Sequence, residues 1–366
     1  MTRPLRLLFF ALALGAVATT ARADLAKVKL PPGFHIEVYA EVPGARSLAV
    51  AEPLGAVFVG TRSSQVFAVL DRDGDYKADK VVTVLSNQRV ANGIAWKDGV
   101  LYVAEQHRIT RHAAPSIEAI GKGPPQVLFD RLPDKGWHGW RYAAFGPDGM
   151  LYVTVGSPCN VCSVQGLEGT ILRLDPTGAK AEVFARGIRN SVGMDFQPAT
   201  GELYFTDNGA DNMGDDVPPD ELNHAPRAGL HFGFPYYGGG DAATTFLKGD
   251  GPPAPVRMPV VRFGAHVAAL GVHFYRGSML PEEYRGDALV AHHGSWNRTV
   301  PDGYRIARVR FDEDGRATGW EPFAEGPLES SASAWARPVD VAELGDGSLL
   351  VSDDRAGVLY RITYER

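Results

Sequence analysis

Residues 141–155 read RYAAFGPDGMLYVTV: an apolar run, a turn over Gly146, Pro147, Asp148 and Gly149, and a second apolar run ending in valine. Two alternating runs joined by turn residues of this kind form a β-hairpin. The second run recurs along the chain. GAVFVGTR from Gly55, GVLYVAEQ from Gly99, GELYFTDNG from Gly201, GDALVAHHG from Gly286 and GSLLVSDD from Gly347 repeat the GMLYVTVG that starts at Gly149. The copies are spaced by roughly 45 to 85 residues, the period of a radially repeated β architecture. Six copies predict an all-β protein with the architecture of a six-bladed β-propeller. A sandwich or barrel of similar strands is the alternative, and it gives no reason for the recurrence.

Third strands follow several hairpins, as in QVFAVLDRDGD, TILRLDPTG, RIARVRFDEDG and VLYRITYE. FHIEVYAEV, from Phe34 to Val42, has strand character but belongs to no hairpin. It is expected to complete the last blade, closing the ring and removing an exposed edge. The fourth blade departs most from the repeat. From Asn208 to about Ala265 no strand periodicity is evident, only Gly, Pro, aromatic and acidic residues, so a long functional loop is expected there.

Arg3 and Arg6, an apolar stretch from Leu7 to Ala18, and Ala21-Arg22-Ala23 describe a secretory signal peptide over residues 1–23. The mature propeller would occupy residues 24–366, exported to a bacterial periplasm or secreted. No later stretch approaches the apolar length that spans a bilayer, so no integral membrane protein is expected. Losing the leader removes three arginines and takes the formal charge from -6 to -9. An acidic surface with few basic runs argues against nucleic acid as a partner.

Two cysteines occur, Cys159 and Cys162, in SPCNVCS. A C-x-x-C pair can be half of a zinc site, a redox pair, a haem attachment or a local disulfide. Haem attachment needs a following His where Ser163 stands, and no second Cys pair is present for a four-thiolate zinc site. In an oxidising compartment the favoured reading is a disulfide pinning a loop.

Hairpin geometry locates a site. The start of the first strand and the end of the second lie at the same end of an antiparallel pair, so the residues there gather on one face, around the channel mouth. Before first strands stand Gln88, His138, Arg141, Arg189, Asn190, His266 and Arg337; after second strands stand Ser157 to Cys162, Asp207 to Gly209 and His293 to Arg298. Arginines, imidazoles and amides converging on one mouth point to an anionic ligand. In the fourth-blade loop Asp211, Asp215, Asp216, Asp220 and Glu221 offer the hard oxygen ligands that calcium takes. A second acidic run, Asp71 to Asp79, opens like a calcium loop but has Val82 at the twelfth position, leaving an Asp-capped turn and a structural calcium site as open alternatives.

The order GIRNSVGMDF, LYFTDNGADN…DELN, AHVAALGVHFY…YRGDALVAHHGSWNR and ARPVDV resembles the glucose/sorbosone dehydrogenase family, and SPCNVC with HGSWNR looks closest to its sorbosone dehydrogenase-like branch. The resemblance implies oxidation of an aldose or related sugar by hydride transfer to pyrroloquinoline quinone (PQQ) held with calcium. It implies His138 as catalytic base, Arg189 and Asn190 as a cofactor-facing pair, and Gln88, Asn208, Arg298 and Arg337 as further cofactor contacts. Gly209 and Ala210 would give backbone carbonyls to calcium, with Asp220 as a loop aspartate beside them. Two departures are visible: Ser157 and the Cys159 loop replace an acid that supports the histidine in the glucose branch, and Val339 stands where a second quinone-binding arginine is expected. No C-x-x-C-H occurs, so electrons would leave to a separate acceptor, a cytochrome or a quinone. A calcium-dependent propeller lactonase and a non-catalytic binding propeller are the competing readings.

Overall fold

The computed structural model describes residues 25–178, 180–247, 251–252, 254–328 and 330–365; the expected leader lies outside them. Among these residues six sheets form a ring. The first strands of successive blades are Leu48–Ala51, Gly93–Lys97, Ala143–Phe145, Met194–Phe196, Ala269–Phe274 and Pro338–Glu343. Each touches the first strand of the next blade, the sixth touching the first, so these strands line the channel. The second strands are Ala56–Val59, Val100–Ala104, Leu151–Val155, Leu203–Asp207, Ala288–His292 and Leu349–Asp353. All six recurring phrases are thus second strands.

The hairpin at 141–155 shows why the phrase begins with glycine. The Gly146 amide donates to the Met150 carbonyl at 2.9 Å, Asp148 Oδ1 accepts from the Met150 amide at 3.0 Å, and Gly149 sits at φ +77°, a conformation that side chains disfavour. Phe34–Glu41 pairs antiparallel with Val358–Tyr364 as the outer strand of the sixth sheet, so the ring closes as expected.

The fourth blade corrects the sequence reading. Within the segment taken as a loop, Pro219–Ala225 and Val261–Ala265 form the third and fourth strands, and Leu230–His231 adds a parallel strand to blade three. Pro219–Ala225 escaped notice because Asp220, Glu221 and Asn223 are buried polar residues, which abolishes the apolar alternation. The described residues of 208–218 and 232–260 remain outside the named strands.

Each gap between blades holds its own apolar cluster, for example Phe58 with Leu101, Tyr152 with Phe205, and Tyr204 with Phe274. Fully burying one such side chain stabilises by roughly 1.5–3 kcal/mol. The channel is pinned by Asp340, which accepts from the amides of Leu48 (2.9 Å) and Val341 (3.0 Å) and from the Tyr142 hydroxyl (3.2 Å). Burial pushes its carboxyl up to about 7. Val339 packs in the channel with Val192 and Leu270. No helix among the described residues is long and apolar enough to cross a membrane.

Candidate active site

Segments before first strands and after second strands converge on a cavity of about 550 Å³. Of the residues singled out in the sequence, His138, Arg189, Asn190, Asn208, Gly209, Asp211, Asp220, His266, His293, Gly294, Trp296, Asn297 and Arg337 line it.

His138 sits at φ +47°, and a Cβ at Gly156 would overlap its Cβ and lie 2.7 Å from its carbonyl oxygen, so the close approach requires glycine there. Its Nδ1 lies 2.9 Å from the Ser157 carbonyl oxygen and 3.1 Å from Ser157 Oγ, while Oγ itself donates to the Cys159 carbonyl. A carbonyl only accepts, so Nδ1 carries the proton and Nε2 keeps its lone pair. Burial, then the charges of Arg189 and Arg141, lower the imidazole to about 3. The imidazole is thus held neutral chiefly by desolvation.

His266 differs. Its Nε2 donates to the Gly214 carbonyl at 2.7 Å and its Nδ1 accepts from Asn297 at 3.4 Å, so both ring nitrogens are engaged. His293 donates from Nε2 to Asp354 Oδ1 at 2.8 Å, and burial lowers it to about 4.

Arg189 is buried and held on every side. Nε and Nη2 donate to the carbonyl and the Oδ1 of Asn160 (3.0 and 2.8 Å), Nη1 to the Asn208 carbonyl (3.1 Å), and Nη2 also to Asp211 Oδ2 (2.8 Å). Asn160 also exchanges two hydrogen bonds with the Asp211 backbone. It lies between Cys159 and Cys162, whose sulfurs are at bonding distance, so the small ring positions the residue that orients the arginine. Replacing both cysteines by serine is expected to lower stability by roughly 2 kcal/mol at most. Denaturant midpoints, with thiol counting by mass, check this; two free thiols in oxidised wild-type protein would overturn the bridge.

Asn190 donates from Nδ2 to Asn208 Oδ1 at 3.3 Å, but its buried Oδ1 has no partner among the described residues. Asp220 is buried, with its carboxyl raised to about 6 by burial; it accepts from the amides of Gly209 (2.7 Å) and Ala268 (2.5 Å). A Cβ at Gly209 would lie 2.7 Å from the Pro219 carbonyl oxygen, so this wall too requires glycine. Arg337 donates to the carbonyls of His293 (3.2 Å) and Gly294 (3.0 Å).

Several of the singled-out residues stand apart from the cavity lining, among them Asp215, Asp216 and Glu221. Gln88 folds back on its own loop, donating to the Ser86 carbonyl at 2.8 Å. Ala210 is buried behind Gly209, its amide bonded to the Gly238 carbonyl at 2.6 Å. Arg298 bolts loop 208–218 through the Asp215 and Ala265 carbonyls and Asp216. Arg141 is a buried pin on the carbonyls of Gln106 and Pro133. At the outer edge of blade one, Asp71 caps the amides of Gly74 and Tyr76 and Asp79 that of Arg72, while Asp73 completes a cluster with one oxygen from each within 4.8 Å.

Sequence reasoning missed Arg62, Trp137 and Trp140, all of which line the cavity. Arg62 follows the second strand of blade one, in the GTR of GAVFVGTR, the very position that selected the other residues.

The channel mouth of this propeller is walled by guanidinium groups, amides and a neutral imidazole. The chain belongs to the glucose/sorbosone dehydrogenase family, whose profile matches residues 123–361. A relative from Borreliella burgdorferi, described as an uncharacterized protein, is 32% identical over 367 residues, spanning 96% of this chain and 95% of its own. The fold is similar to that of the pyranose dehydrogenase PQQ domain of Coprinopsis cinerea (TM-score 0.75, 18% identity, 92% of this chain and 97% of that one). It is also similar to the PQQ-bound aldose sugar dehydrogenase of Streptomyces coelicolor (TM-score 0.63, 21% identity, 92% and 100%). A Trichoderma reesei protein of carbohydrate-active family AA12, a calcium structure, gives a TM-score of 0.77 at 19% identity over 94% and 98%.

Proposed function

We propose that this protein is a quinoprotein sugar dehydrogenase that oxidises an aldose or related sugar with PQQ and calcium in the cavity. The observation that carries the reading is one wall set: Arg189 and Arg337 beside His138, whose Nε2 is an unprotonated acceptor. The site suits the cofactor. Arg337, whose Nη1 makes no hydrogen bond among the described residues, keeps donors for a carboxylate, and the orphaned Asn190 Oδ1 offers an acceptor to a donor or cation. Gly209 and Ala210 would present carbonyl oxygens to calcium, and Asp220, by holding the Gly209 amide, would fix the turn that presents them. When bound, the quinone supplies the hydride acceptor and calcium the Lewis acid.

The chain's own residues supply the rest. His138 Nε2 takes the sugar hydroxyl proton, Ser157 holds the ring in that tautomer, and Arg189 and Asn190 orient the cofactor against it. Asn208 joins them, while Gln88 and Arg298 would need to leave their present hydrogen bonds to do so. Export behind the 23-residue leader and a separate electron acceptor belong to the same reading.

Chelating calcium is expected to lower both quinone affinity and turnover, because metal and quinone share one cavity. Calorimetric titration of PQQ with and without chelator, followed by an aldose panel with a dye acceptor, tests this. Equal affinity in both conditions would separate metal from cofactor; a quinone that stays oxidised while a lactone is hydrolysed would overturn the dehydrogenase.

A further inference from the structure

The wall formed by blades six and one carries more positive charge than its acids balance. Arg46 is fully buried, donating to Asn92 Oδ1 at 2.6 Å and to Asp354 Oδ2, with Nη2 left unpartnered among the described residues. Arg337 stands beside it in the cavity wall, and His293 consumes the other Asp354 oxygen. Arg62 completes the group. Its guanidinium lies over the Trp140 ring, Cζ 3.7 Å from the centroid, and its side chain is 40% exposed. It makes no hydrogen bond among the described residues; the carboxylate oxygen it faces, Asp354 Oδ2, is 3.9 Å away. Asp354 thus meets two guanidinium groups, Arg46 and Arg62, while Arg337 beside them is held only by backbone carbonyls.

A planar cation held against an aromatic face, with its N–H donors unspent and directed by that stack along a cavity wall, is built to receive an anion. Its place in the ring matters as well. Arg62 leaves blade one, and Arg189 approaches blade four, the blade across the channel in a ring of six. Cations on opposite walls match a ligand carrying carboxylates on more than one edge. Val339, where a second arginine is expected, is instead buried with Val192 and Leu270 and can grip nothing.

We propose that Arg62, stacked on Trp140 and backed by Arg46, is an anion clamp of the cavity and supplies the guanidinium that position 339 lacks. Its ligand class is a planar polycarboxylate; that this ligand is PQQ rests on the function proposed above. A charged hydrogen bond is worth about 1.5–3 kcal/mol, so Arg62→Gln is expected to weaken binding about 10- to 100-fold. Arg62→Lys, which keeps the charge but loses the planar fork, should recover part of the loss.

The test is calorimetric titration of PQQ into the calcium-loaded full chain, comparing wild type with R62Q and R62K. Calorimetry is used because Trp140 fluorescence would itself respond to the substitution, and thermal melts establish that both variants fold. R62Q affinity within threefold of wild type overturns the clamp. Should wild type fail to bind PQQ, the cofactor reading fails, and the same comparison is made with benzene-1,3,5-tricarboxylate. Weaker binding to R62Q then sustains the clamp on its own, and equal binding, or none by wild type, overturns it.

Discussion

His138→Ala is expected to lower turnover about 10²- to 10⁴-fold while leaving the fold and PQQ affinity near wild type. The imidazole is tethered through Nδ1 to Ser157 and offers only Nε2 to the cavity, so its loss removes a proton acceptor without removing a structural tie between blades. The pH profile gives an independent reading. Because burial and the neighbouring arginines lower the group to about 3, the wild-type imidazole is already neutral above about pH 4. The rate should therefore show no acid limb from this residue between pH 5 and 8, unless a bound anion offsets Arg189 and raises it. A variant with near-normal turnover would disqualify His138. His293, oriented by Asp354, would then be the imidazole to remove; His266 would not, because both of its nitrogens are engaged.

The largest stability effect is expected at Asp340. Asp340→Ala strands three buried donors: the Leu48 and Val341 amides and the Tyr142 hydroxyl. At about 1–3 kcal/mol for each unsatisfied group, the loss should be about 3 kcal/mol or more, read from denaturant midpoints. Asp340→Asn tests the charge separately. The folded carboxyl is raised from 3.8 to about 7, so the folded state holds a proton that the unfolded chain releases. That contribution favours folding below about pH 4 and is lost as pH rises through about 7. Wild type should accordingly lose more stability than the Asn variant between pH 4 and 7, and parallel profiles would refute the assignment.

The glycine-led strands were legible in the sequence because each is flat, apolar and closed by a turn residue. The third strand of blade four was not, because both of its faces are buried and carry polar residues, Asp220 on one and Glu221 and Asn223 on the other, which leaves no apolar alternation. The site was legible to the extent that topology alone dictates it: residues flanking a hairpin's open end must meet at the mouth, and His138, Arg189 and Arg337 do. What topology leaves open is where a long side chain turns. Gln88 and Arg298 occupy correct positions but spend their donors on nearby carbonyls. Arg62, at an equivalent position, is held into the cavity by an aromatic ring from another blade. Such partnerships join residues far apart in sequence and leave no local pattern.

Because Phe34–Glu41 and Val358–Tyr364 zip together in one sheet, with Phe34 facing Tyr364, the molecule is a circle in everything but its covalent bonds. No blade is privileged as the beginning. A chain rewired through a short bridge between residues 34 and 364, and cut instead at an exposed outer turn, would thread the same six sheets. The same clasp makes assembly of the cavity a single event. Its walls come from all around the ring, and that ring stays open until the two most distant strands meet, a late step in any fold built on long-range pairing. Ligand binding therefore reports completion of the whole circle rather than of any one blade.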